Sequence, residues 1–213
     1  MMRNEIASSL IKNMILFADS KSLDEVEQDL GESVGQLLTP LTCRKNFRPT
    51  GIFGIDNGCF SKFEKKTYFH LLKRELPNKD YCKFVCLPDV VGSARRTLEL
   101  FDYYKHDELI NKYPKALVIQ NGQEDLSIDW YAIDAIFIGG DTKFKMSESC
   151  KQIIQCAQRL DKYVHVGRVN EADRWQYFAD LNCDSFDGTG ISQFSAQRFK
   201  LAIHKNQPKL ELS

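Results

Sequence analysis

The feature that most constrains this chain is a rhythm of short β-branched and aromatic runs. They fall at 14–18 (MILFA), 51–55 (GIFGI), 83–87 (KFVCL), 116–120 (ALVIQ), 135–139 (AIFIG), 163–167 (YVHVG) and 183–187 (CDSFD). Most of the intervening stretches have helical periodicity. Within 91–111, for example, Val91, Ala94, Leu98, Phe101 and Tyr104 share one face. The same reading predicts helices over 59–75, 147–160 and 170–181, the last capped by Asn170. Strands spaced roughly 20 to 35 residues apart and separated by helices imply a parallel sheet covered by helices. Seven runs, or eight if GQLLTPL at 35–41 is also a strand, suit a closed (β/α)8 barrel, irregular at its N-terminus, better than an open sheet.

Composition narrows the functional classes. With 213 residues and 43% hydrophobic content the chain is expected to form one barrel domain, 1–213. Basic and acidic side chains balance at 29 each, so no global field draws in nucleic acid, and any affinity for a polyanion rests on local groups such as Arg44, Lys45 and Arg48. Apolar runs fall short of the roughly 20 residues of a membrane helix, and seven cysteines, several inside apolar runs, suit a reduced, cytoplasmic protein. Cys82 and Cys86 have zinc-like spacing but no second ligand pair nearby, so core packing is the expectation and no metal is assigned. Neither a dinucleotide fingerprint nor a Walker loop occurs, and no redox cofactor is implied.

A parallel barrel gathers its chemistry at the carboxyl ends of the strands. Asp56, Asp89, Gln120, Gly139 with Gly140, Gly167 with Arg168, and Asp187 all stand at or just after such ends. An aspartate there also serves as a helix cap, and Asp56 or Asn57 could start the helix at 59–75. Six polar strand ends in one mouth favour a site. Along 184–187 the side chains alternate, so Asp184 and Phe186 share one face while Ser185 and Asp187 share the other.

These residues also carry a resemblance. In order, IDNGCF, LPDVVG, ALVIQNG, DAIFIGGD, VHVGRVNEAD and CDSFDGTG resemble segments of the guanine transglycosylases, which exchange guanine for a 7-deazaguanine base in tRNA or, in phage and mobile-element members, in DNA. The resemblance covers about two-thirds of the chain, from Asp56 to Asp187. It implies Asp187 as the nucleophile that forms a covalent glycosyl intermediate and Asp56 as its proton-transfer partner. It implies Asp89 on the guanine edge, Gln120, Gly122 and Asn57 in the base pocket, and Gly139 with Gly140 as a backbone-amide loop. Arg168 would contact phosphate, and Gly188 and Gly190 would leave room for the sugar.

Asn57 and Cys59 stand where the family has serine and glycine, and no C-terminal zinc subdomain is recognisable. The expectation is therefore an enzyme acting on DNA, with a free 7-deazaguanine as co-substrate and an accessory protein to open the duplex. The alternatives are the same exchange on tRNA, a non-catalytic base-binding barrel subunit, and an unrelated lyase or isomerase of phosphorylated substrates.

Overall fold

The computed structural model describes residues 14–19, 21–31, 34–41 and 51–206. Eight parallel strands close into a barrel in strict chain order. They are β1 (Ile15–Ala18), β2 (Gly35–Leu38), β3 (Phe53–Ile55), β4 (Cys82–Cys86), β5 (Lys115–Ile119), β6 (Ala135–Ile138), β7 (Tyr163–Val166) and β8 (Ser185–Asp187). The circle closes where Leu16 of β1 pairs with Phe186 of β8. All seven expected runs contain strands, and the optional eighth is β2. The helices are α1 (Leu23–Leu30), α2 (Lys65–Glu75), α3 (Ala94–Tyr104), α4 (Thr142–Lys145), α5 (Glu148–Arg159), α6 (Ala172–Asp180), α7 (Thr189–Gln193) and α8 (Ser195–Asn206). Among the described residues no helix is long and apolar enough to cross a membrane.

Strand alternation divides the core into two layers. Outward residues such as Leu16, Ile55, Val85, Ile136, Val164 and Phe186 pack under the helices. Inward residues Phe17, Phe84, Cys86, Ala116, Val118 and Ala135 form a separate cluster that fills the barrel. At its centre the rings of Phe17, Phe84 and Phe137 surround His165, with centroids 5.4, 4.5 and 4.8 Å from the imidazole. The barrel is filled here by aromatic side chains and cannot be a pore. Large rings fit because a neighbouring strand offers no side chain: a Cβ on Gly54 would lie 2.3 Å from the Phe84 ring.

Three helix starts differ from expectation. α3 begins at Ala94 after Ser93, which leaves Val91 exposed in the preceding turn. α2 begins at Lys65 after Glu64, not at 59, because Asp56 and Asn57 turn back on the chain and accept the amides of Gly58 and Cys59. α6 begins after Glu171, while the Asn170 carboxamide accepts the Gly190 amide instead of capping the helix. A link invisible to local sequence reading joins the two ends of the barrel wall. Arg198 of α8 is fully buried and bonds Asp29, Glu25 and the carbonyls of Ile191 and Ser192.

Gly54→Ala is expected to cost about 1–3 kcal/mol, because Phe84 is held on its far side by other rings and cannot yield. Urea unfolding checks this; a change under about 0.5 kcal/mol would show that the ring layer is loosely packed.

Candidate active site at the barrel mouth

A cavity of about 460 Å³ opens at the carboxyl ends of the strands, within the usual range for small-molecule sites. Asp56, Asn57, Asp89, Gln120, Gly139, Gly140, Arg168 and Asp187 all line it. Gly122 does not; it sits in the turn beyond β5, where its amide bonds Glu124. Arg44, Lys45 and Arg48 lie outside the described residues.

Asp187 is held by two donors. It is the last residue of β8, and its Oδ1 accepts the backbone N–H of Arg168 at 3.0 Å. Its Oδ2 faces His165 Nε2, also at 3.0 Å. His165 is fully buried, and burial holds its pKa below the ordinary imidazole range, so the ring is neutral near pH 7. A carboxylate can only accept, so Nε2 carries the proton, and Nδ1 then accepts the hydroxyl of Ser185 at 2.8 Å. Ser185 and Asp187 thus share the inward face, as strand alternation predicts. Asp184 lies on the other face, where its Oδ2 accepts the Val164 amide.

Asp56 follows β3 on the same inward parity as Gly54. Burial pushes its pKa up to about 6, the Gly58 amide opposes that rise, and the charges of Asp187 and Asp89 add to it. One mouth therefore holds a carboxyl group able to carry a proton near neutrality and a second acid bound by two donors. Where the environments of paired carboxyls diverge, one can serve as an acid and the other as a nucleophile.

Asp89 is likewise pushed up by burial and held back by its bonds to Asn57 and Cys59. Asn57 Nδ2 donates both to Asp89 Oδ1 and to the Leu87 carbonyl, so Asn57 positions Asp89 and has no N–H left for a base. The same correction applies to Gln120. Its Nε2 donates to Val90 O and Thr97 Oγ1 and its Oε1 accepts the Gly92 amide, so it clamps the loop between β4 and α3.

Of the two glycines after β6, Gly139 spends its amide on Ile119 O. Gly140 lines the cavity, and its amide bonds no described residue. Asp141 caps α4 through the Phe144 amide and ties itself to Asn121. The glycines after Asp187 are not access points. Neither lines the cavity, and a Cβ on Gly188 would sit 2.2 Å from the Val169 carbonyl oxygen, so this glycine lets the β7–α6 and β8–α7 loops touch.

At the rim, Phe60 is 65% exposed and the Arg168 guanidinium lies 3.3 Å from its ring centroid. Phe63, the other aromatic near this loop, packs into the core beside Tyr68 and Tyr104. Two site residues escaped sequence reading: His165, hidden in an ordinary strand pattern, and Lys145. The latter is buried at the end of α4, lines the cavity and donates to the Gly167 carbonyl at 2.5 Å. The Cys59 thiol, pushed up to about 12, stays protonated and is no nucleophile. Among the described residues no cluster of His, Cys, Asp or Glu is placed to hold a metal ion. No family model matches this chain, and no curated protein matches it.

The raised Asp56 pKa makes a stability prediction. Above pH 6 the folded protein bears an unfavourable carboxylate, and below the unfolded value near 3.8 that cost is gone. Asp56→Asn should therefore stabilise the protein by about 1–3 kcal/mol at pH 7–8, with the gain fading towards pH 4. Denaturant titrations across this range check it; a gain that grows on acidification would contradict the assignment.

Proposed function

We propose that this barrel is a transglycosylase that exchanges guanine for a 7-deazaguanine base in DNA. The observation that carries the reading is the pairing of Asp187, held by His165 and the Arg168 amide, with Asp56, whose pKa is raised to about 6, in one cavity. Asp187 attacks C1′ of the target nucleotide. The C1′–N9 bond breaks, its electron pair stays with guanine, and Asp56 in its acid form supplies the proton the departing base needs. The incoming base then returns a proton to Asp56 as its N9 attacks C1′, and Asp187 leaves. Two displacements retain the configuration of the sugar.

Base selection rests on Asp89. A carboxylate accepts both the N1–H and the 2-amino group of guanine, and the lone pairs left by Asn57 and Cys59 suffice for this. The Gly140 amide, which bonds no described residue, is assigned as the donor for O6. Adenine would leave Asp89 facing an acceptor in a partly dry site, a mismatch that favours guanine strongly. The target nucleotide must leave the helical stack to reach the cavity. The exposed face formed by Phe60 and Arg168 offers a flipped strand a stacking surface and a phosphate contact. DNA as the polymer rests on the sequence resemblance alone.

The test is incubation with labelled 7-deazaguanine and duplex DNA, single-stranded DNA or tRNA. Label should enter DNA; incorporation only into tRNA would transfer the proposal to that polymer, and no incorporation into any of them would remove it. The chemistry carries its own signature. Guanine release in a single turnover without incoming base should slow about tenfold per pH unit above about 6, as Asp56 loses its proton. Asp56→Asn should be about 10²–10⁴-fold slower and lack that limb. Release that accelerates with pH over this range would exclude Asp56 as the acid.

A further inference from the structure

Base exchange leaves a buried amine of the cavity unused. Lys145 is 6% exposed, and its Nζ is pinned to the Gly167 carbonyl at the end of β7. The next residue, Arg168, gives its amide to Asp187 Oδ1, so the amine and the carboxylate flank the same strand end and line the same cavity. A surface lysine would be a hydrated ammonium ion. Here burial outweighs the attraction of Asp187, Arg168 and Arg174 add repulsion, and the pKa is pulled down to about 8. The unprotonated amine keeps a donor for Gly167 O and gains a lone pair, as lysines that attack carbonyl groups require.

We infer that Lys145 is a second nucleophile of this cavity, an amine that condenses with the C1′ aldehyde of a sugar that has lost its base. The inference rests on the base-exchange reading, which sets C1′ beside Asp187. If water reaches the glycosyl ester before the incoming base does, Asp187 is released and the sugar is left as a hemiacetal whose open form is an aldehyde at C1′. The Lys145 nitrogen adds to that carbon and the C=O electron pair moves to oxygen, giving a carbinolamine. A proton from Asp56 carries the hydroxyl out as water, and the resulting iminium ion returns a proton to Asp56. The net change is amine plus aldehyde to imine plus water, with no oxidant or reductant.

Borohydride reduces such an imine to a stable secondary amine, which makes the test direct. The full chain is mixed at pH 7, between the values of Asp56 and Lys145, with a DNA oligonucleotide carrying one preformed abasic site, treated with sodium borohydride, and analysed by denaturing gel and peptide mass mapping. A covalent protein–DNA complex attached at Lys145 is expected, with its yield at least tenfold lower in Lys145→Arg. Attachment at another residue, an undiminished yield in Lys145→Arg, or no complex at all would overturn the inference. Mapping on the unaltered protein decides the point even if the variant folds poorly. Because the abasic site is supplied ready-made, trapping without base exchange would indict only the exchange reading. Exchange without trapping would indict only Lys145.

Discussion

The site depends on one neutral imidazole inside a ring of hydrocarbon. His165 is packed among Phe17, Phe84 and Phe137, where an imidazolium ion would be poorly solvated, and this keeps it uncharged. A neutral ring has one donor and one acceptor. Ser185 takes the acceptor and so fixes the donor on Asp187. The aromatic filling of the barrel and the orientation of its principal carboxylate are thus the same piece of structure. Changing a floor residue changes the aim of a mouth residue.

The division of labour among the acids follows from the strands they end. Asp187 terminates a strand whose neighbour supplies two donors, the His165 ring and the Arg168 amide. Asp56 follows β3, where its chief support is one tight bond to the Gly58 amide, and burial raises its pKa. Asp89 is steadied by Asn57. Asp187 and Asp56 each accept one backbone amide; what separates them is the buried imidazole that only Asp187 meets and the burial that raises Asp56.

Much of this was legible in the sequence because strand parity is a rigid rule. The alternation of runs and helices foretold the barrel, and parity at 184–187 separated Asp187 from Asp184. His165 was open to the same argument: it stands two residues before Gly167 on the inward face, but a histidine inside YVHVG reads as filler until its neighbours across strands are known. Gln120 and Asn57 show the opposite limit. Both line the cavity, but only the folded chain reveals that Val90, Thr97 and Leu87 already claim their amides. Lys145 lies in a short helix whose sequence, TKFK, looks solvent-facing, and its burial is set by contact with a strand 22 residues on. The Arg198 link to Asp29 spans 169 residues and has no local signature at all.

The central claim is that the two principal acids differ in role, one making a bond and the other moving a proton. Its most direct measurement is to denature the protein during turnover on a guanine-containing DNA strand, digest it, and map any nucleotide ester by mass spectrometry. The account predicts a sugar-linked ester on the peptide containing Asp187, absent in Asp187→Asn and present in Asp184→Asn. An ester on Asp56, or base exchange proceeding in Asp187→Asn, would contradict it.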